Sequence, residues 1–157
     1  EGSANVPMIL LAPQDDGRVQ PGRVDDRLVG WQDVMPTLLE LVGASDATPE
    51  DIDGVSMAPT LLGKRQPARE LLYREFPSYG GQQSLRVGDF KAVRQRMTSG
   101  NLEIELYNLA EDVSEQINVA DDHPELVARM AKLMEREHTP SDLFPLIPID
   151  APPKKRK

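Results

Sequence analysis

The sequence contains no cysteine. Disulfides, thiolate metal sites and a cysteine nucleophile are thereby excluded from these 157 residues, though the compartment stays open, since many exported proteins also lack cysteine. Aromatic residues are few: three Phe, three Tyr and a single Trp, Trp31. Histidine occurs twice, as His123 and His138. No apolar run approaches the roughly 20 residues of a membrane-spanning helix. There is no glycine-rich loop followed by lysine, so no phosphate cradle of the P-loop kind. Apolar residues make up 39% of the chain, interrupted by fourteen prolines and eleven glycines. The length suits about one domain. The interruptions predict a divided core, parts of which need surface supplied from elsewhere.

The net charge is −8. The last four residues, Lys154 to Lys157, are all basic; without them the chain carries 14 basic against 26 acidic side chains, a net charge of −12. A body of that charge repels phosphate backbones, which argues against nucleic acid as a partner. The terminal "PPKKRK" reads either as a solvated tail or as a basic localisation patch.

Along the chain, "VPMILLAP" (residues 6–13) is a continuous apolar run between prolines, the pattern of a strand buried on both faces. Few parallel partners for it exist here, and the opening "EGSANV" is not a signal peptide. Both observations suggest the middle of a longer protein. Turn chemistry follows, then a helix over residues 32–42 with Pro36 near its first turn and Gly43 as its stop. A loop over residues 45–54 leads to a short helix, "MAPTLL", which Ser56 is placed to cap. Beyond the "KRQPARE" linker come four strand patterns: 71–76, 83–87, 89–97 and 102–109. Leu102, Ile104 and Leu106 alternate with Glu103, Glu105 and Tyr107, as in a half-buried strand. Gly88 marks a tight hairpin turn and "TSGN" a second one. These strands are expected to form an antiparallel meander. Asp122 and Glu125 flank Pro124 as a capping-box-like pair. Leu126, Met130, Leu133 and Met134 then keep helical spacing and need the apolar face that the sheet offers. Phe144, Leu146 and Ile147 are expected to pin an extended, proline-rich tail.

The residues offer no convincing catalytic group. The two histidines sit at opposite ends of the last helix, too far apart to share a metal, and His138 suits the dipole at the helix C-terminus. "DIDG" (residues 51–54) opens like a calcium loop, but Leu62 stands where that loop needs a glutamate, so it reads as a turn. The most suggestive stretch is "REFPSYGGQQSLRV". Gly80 and Gly81 permit positive φ or close backbone approach. Arg74 and Arg86 suit an anion, and Tyr79, Gln82 and Gln83 supply neutral hydrogen-bonding groups. The set suits a sulfate, phosphate or sugar ligand and has nothing to break a bond. A simple strand-turn-strand with solvated side chains fits the same letters.

In order, "EGSANVPMILLAP", "PGRV", "WQDVMPTLLELVGA", "DIDGVSMAPTLLGK", "LLYREF", "GGQQSLRVGDFKAVRQ", "ELYNLAEDVSEQINVADDHPELVARMAKLM" and "HTPSDLFPL" resemble the C-terminal part of a type I, formylglycine-dependent sulfatase of the bacterial arylsulfatase-like kind. The resemblance runs from residue 1 to about 146. It implies an α+β C-terminal part, a four-stranded antiparallel sheet packed by a C-terminal helix. Before it would come a strand and helices left over from an alkaline-phosphatase-like α/β domain. The implied boundaries are 1–66 for the end of the catalytic domain, 67–140 for the small domain and 141–157 for the tail. By the same resemblance the parent hydrolyses sulfate esters through a hydrated aldehyde that attacks sulfur while calcium neutralises the sulfate. The nucleophile motif, Cys/Ser-x-Pro-x-Arg, and the calcium-binding acids belong to a preceding part, so this chain alone is expected to be inactive, with no catalytic or metal residue of its own. Its partners would be that preceding domain and a sulfated small molecule or sugar. The parent would be periplasmic or secreted. Asn5 replaces the family's usual arginine, whose role is therefore not carried over. Arg74, Tyr79, Gln82, Gln83 and Arg86 are the expected substrate contacts. Two other readings stand beside this one: a free-standing, non-catalytic binding module, and the same region of a related phosphodiesterase or phosphonate hydrolase.

Overall fold

The computed structural model describes residues 7–11, 17–19 and 21–150. The expected roles of Asn5 and of the basic tail, and both ends of the expected first strand, lie outside them. The chain divides into two compact units, Pro7–Arg69 and the residues from Glu70 onward.

In the first unit a 3-10 turn, Trp31–Asp33, runs into helix α1, Val34–Leu41. Gly43, at φ +76°, ends it, and the Ala44 N–H returns to the Leu39 carbonyl at 2.8 Å, a Schellman-type closure. Helix α2 is the single turn Ala58–Leu61. Its entry is helped by Ser56, whose Oγ accepts the Ala58 N–H at 3.1 Å. The organising group is Asp33, 1% exposed. Its carboxylate accepts the Gly30 N–H at 2.7 Å and the Val55 N–H at 2.8 Å, and forms an ion pair with Arg69. "DIDG" has a packing reason: a Cβ on Gly54 would lie 2.1 Å from the Gln32 carbonyl oxygen, so only glycine lets the loop pass the helix start. Residues 7–11 correct the sequence reading. They form no strand, and Ile9 and Leu11 are exposed. A strand exists only where a neighbour accepts its hydrogen bonds, and residues 7–11 have no strand partner among the described residues. Trp31, Met35, Leu38 and Val42, spaced along one side of the helical segment, are also exposed.

The second unit is the expected meander. Strands β1 (Leu72–Phe76), β2 (Gln82–Val87), β3 (Phe90–Arg94) and β4 (Glu105–Asn108) pair antiparallel in the order β1-β2-β3-β4. Val87 pairs with Phe90 across a two-residue turn, with Gly88 at φ +57°. The second connection is not a tight hairpin. Ten residues separate β3 from β4, with Arg96 and Gly100 at positive φ on either side of a 3-10 turn at Met97–Ser99. Helix α3, Pro124–Glu137, covers the inner face. Leu85, Ala92, Leu106, Met130 and Met134 are fully buried together. The expected capping box is absent, because His123 takes the N-cap position and Asp122 belongs to a preceding 3-10 turn. The His123 ring instead packs edge-on against Phe90, centroids 5.5 Å apart. Residues 139–150 fold back rather than extending. Leu146 is fully buried, whereas Phe144 is exposed, so only part of the expected apolar pin is inserted.

Met130 has no exposed surface, so Met130→Ala is expected to cost about 2–5 kcal/mol through lost transfer and a residual cavity. Urea unfolding of the two proteins measures this. Leu143→Ala, at an exposed position, is the control and should stay within about 0.5 kcal/mol. Equal midpoints for Met130→Ala and the parent protein would show that the helix face is wrong.

Candidate functional site

The β1–β2 connection, Pro77–Gly81, carries the suggestive residues. Tyr79, Gly80 and Gly81 all adopt positive φ, at 52°, 85° and 76°. For glycine this is unstrained; for a bulky aromatic residue it is a true outlier, held only where the surroundings enforce it. The enforcement is visible. Gly81 O accepts the Met97 N–H at 3.1 Å, and Gly80 O accepts the Thr98 N–H at 2.9 Å and its hydroxyl at 3.1 Å. The loop is thus tied to the β3–β4 connection. The outcome is an exposed Tyr79 ring, 84% accessible, stacked on Phe76 with centroids 5.7 Å apart and planes 13° from parallel.

Strand alternation sorts the remaining candidates. Arg74, Phe76, Gln82 and Arg86 share the outer face: Phe76 lies opposite Gln82, and Arg74 opposite Ser84. Arg86 stands opposite Lys91. Like charges placed directly opposite are destabilising unless neutralised, and Glu115 neutralises Lys91 at 2.6 Å. Arg86 donates to the Gly88 carbonyl, at 3.1 Å. Among the described residues neither Arg74 nor Arg86 has a carboxylate partner. Gln83 is separated from these four by one step of the strand period. It points to the inner face, 1% exposed, donates to the Tyr73 hydroxyl at 2.6 Å and accepts from Arg94 Nη1 at 3.1 Å.

Gln83 therefore belongs to a second group, which sequence reasoning missed. Beyond the end of helix α3 the inner face of the sheet becomes polar. The Tyr73 hydroxyl donates to Glu75, and Glu75 also meets His138 Nδ1 at 2.5 Å. His138 Nε2 meets Asp150 Oδ1 at 2.9 Å, and Asp150 Oδ2 accepts the Leu146 N–H at 2.6 Å. A neutral imidazole has one N–H, so only the charged ring serves both carboxylates. Burial works against that charge, but hydrogen bonds and attraction from Glu75 and Asp150 overcome it, and the His138 pKa rises above 6.5. Asp150 is held below 3.8: burial opposes ionisation, yet the Leu146 N–H and the facing His138 outweigh it. Tyr73 is pushed far up, first by burial and then by its hydrogen bond to Glu75. The signal for this cluster, Glu75 with His138, spans 63 positions and has no local pattern.

Chemically, the outer-face group can bind. Arg74, two positions from Phe76 on this face, and the two exposed aromatic rings suit an anionic ligand with a flat or ring-shaped body, while Arg86 stands at the other end of β2, roughly 13 Å along the strand from Gln82. Neither group contains a nucleophile next to a base. Among the described residues no three His, Asp or Glu side chains gather as metal ligands.

The family description "N-sulphoglucosamine sulphohydrolase, C-terminal" matches residues 1–139. The chain belongs to this sulfatase C-terminal family. Among curated relatives, a Delta 4,5-hexuronate-2-O-sulfatase of Bacteroides thetaiotaomicron is 30% identical over 161 aligned positions, covering 97% of this chain and 32% of the relative. Rat arylsulfatase G is 31% identical over 96 residues, covering 59% of this chain and 18% of the relative. In three dimensions the chain is similar to a crystal structure described as the putative sulfatase yidJ from Bacteroides fragilis. That match has a TM-score of 0.64 at 19% identity and covers 76% of this chain and 26% of the other. The fold of the sulfatase C-terminal part is therefore the one expected, a four-stranded antiparallel sheet with its helix. The chain spans at most about a third of these relatives' lengths.

The His138 pair sets a pH dependence. Because its folded-state pKa is raised, its stabilisation is complete below about pH 6.5 and is lost as pH rises through the folded value. Asp150, with its pKa depressed, stabilises above about pH 3.8 and loses that contribution as pH falls through its lowered value. Urea midpoints should therefore decline as pH rises above about 6.5, and His138→Gln should flatten that decline. An equally steep alkaline slope in His138→Gln would assign it to another group.

Proposed function

We propose that this chain is the C-terminal region of an enzyme that hydrolyses sulfate esters on a sulfated sugar, and that it closes the substrate cleft and scaffolds the catalytic domain. The observation that carries this reading is the family match over residues 1–139. The sugar is supported by the hexuronate in the name of a relative that covers 97% of this chain. It is also supported by the exposed Phe76–Tyr79 stack and by Arg74 on the same face, which has no carboxylate partner among the described residues. In this reading Arg74 and Arg86 attract the sulfated end, Gln82 and Tyr79 add hydrogen bonds, and the Phe76–Tyr79 stack faces the sugar ring. Gln83 acts indirectly, by fixing the inner side of β1 and β2. The nucleophile and calcium lie in a segment preceding Glu1, and the whole protein is exported to the periplasm or beyond. The exposed side of Trp31, Met35, Leu38 and Val42 is apolar surface that this segment would cover.

The test begins with the coding sequence upstream of Glu1. An in-frame extension carrying Cys/Ser-x-Pro-x-Arg, and release of sulfate by the extended protein but not by the 157-residue chain, is the expected result. An unprocessed threonine in that place, with phosphodiester cleavage instead, would replace sulfuryl by phosphoryl transfer. Sulfate release by the 157-residue chain, above a mock purification, would overturn the division of labour. In the extended protein Arg74→Ala and Arg86→Ala should each raise KM for a sulfated oligosaccharide about tenfold, the value of one charge-assisted hydrogen bond. Unchanged KM in both variants would remove the arginines from the substrate site.

A further inference from the structure

The loop that presents Tyr79 rests on the folded-back tail. A Cβ on Gly81 would lie 3.4 Å from Leu146 Cδ1, 3.6 Å from the Ile147 carbonyl oxygen and 3.3 Å from Met97 Cβ. Leu146 is fully buried there. The tail that delivers Leu146 closes on itself: the Leu146 N–H donates to Asp150 Oδ2 at 2.6 Å, and the Asp150 N–H returns to the Leu146 carbonyl at 2.9 Å. The far side of that closed turn is held by the His138 ring, which in turn holds Glu75 on β1. β1 runs directly into the loop. The ring therefore ties the tail to the strand from which the loop departs.

We propose that residues 139–150 form a brace that positions the Tyr79–Gly81 loop, and that His138, bridging Glu75 and Asp150, is the lock on that brace. As a statement about substrate positioning this rests on the sulfatase reading given above; as a statement about the loop it does not. His138, Asp150 and Leu146 are positioning residues, since none of them lies on the outer face with Arg74 and Tyr79.

The groups that face the ring are few. β1 contributes Glu75 and, behind it, the Tyr73 hydroxyl; the tail contributes Asp150. β2 and β3 contribute Gln83 and Arg94 through Tyr73. On α3 itself Arg136 is paired with Glu137 at 2.6 Å and points to solvent. When the ring loses its proton, one of the two carboxylates loses its N–H. Glu75 keeps the Tyr73 hydroxyl and Asp150 keeps the Leu146 N–H, so each remains satisfied within its own segment while the link between the segments is broken. The raised affinity of His138 for its proton moves that event upward from the ordinary histidine value of 6.5, so the lock is closed in acid and opens as pH rises.

The experiment is nuclear magnetic resonance on the intact 157-residue chain, from about pH 5.5 to about pH 9, around the range in which histidine titrates. The His138 ring signals give its midpoint, and the backbone amides of Tyr79, Gly80 and Gly81 report on the loop. The expected result is a midpoint above 6.5 shared by the ring and by the Gly81 amide, with Ala92 and Leu106 unmoved. Asp150→Asn should lower the ring midpoint by about one pH unit, a tenfold loss of proton affinity, and the Gly81 midpoint should move with it. Leu146→Ala should leave the ring midpoint in place while uncoupling Gly81 from it. A Gly81 amide indifferent to the ring's titration overturns the proposal on the wild-type chain alone, whether or not either variant folds. Equal ring midpoints in wild type and Asp150→Asn also overturn it. None of these readouts involves sulfate release, so a failure here leaves the sulfatase reading standing, and the reverse.

Discussion

One imidazole joins three segments of the small unit that are distant in sequence: strand β1 through Glu75, the end of helix α3 through its own backbone, and the tail through Asp150. The rest of the unit depends on this because its sheet is covered by a helix that is too short. α3 buries the part of the inner face that holds Leu85, Ala92 and Leu106, and ends there. The remainder of that face carries Tyr73, Glu75, Gln83 and Arg94, none of which can be buried without partners. The folded-back tail roofs that end, and the charged ring makes an acid on the sheet compatible with an acid on the roof. Without it, two carboxylates would stand close in a partly dry space.

The first unit uses the same device with a different ion. Asp33 is buried at the start of a helix segment and takes up two backbone N–H groups and a guanidinium. In both units the apolar contacts are modest and a buried charge decides which loops meet. That fits a composition poor in aromatic residues and rich in proline: with little bulk to interdigitate, directional hydrogen bonds take over the work of specifying one arrangement.

This division explains what was legible in the letters. The four strands and α3 could be read because period-2 and helical spacings are local, and Met130 and Met134 fell on the buried side as expected. The turn at Gly88 was legible for the same reason. The inner polar cluster was not, since Glu75 and His138 are 63 residues apart and each looks like an ordinary surface residue in its own window. Gln83 was grouped with Gln82 because they are neighbours, although neighbours on a strand face opposite ways. The apolar run at residues 7–11 has the pattern of a strand, but it finds no strand partner among the described residues. The capping box failed because two acids flanking a proline match the pattern while the chain enters α3 through a 3-10 turn instead.

The position of the lock in the chain decides which half of the unit can form without it. The apolar cluster of Leu85, Ala92, Leu106, Met130 and Met134 draws only on the sheet and α3. The polar half needs Leu146 and Asp150 as well. Until the tail docks, Glu75, Gln83 and Arg94 face water, and the polar end of the sheet is an open, hydrated surface. The apolar half can therefore gather first, as an ordinary sheet-and-helix pair, and the polar half dries only when the tail arrives.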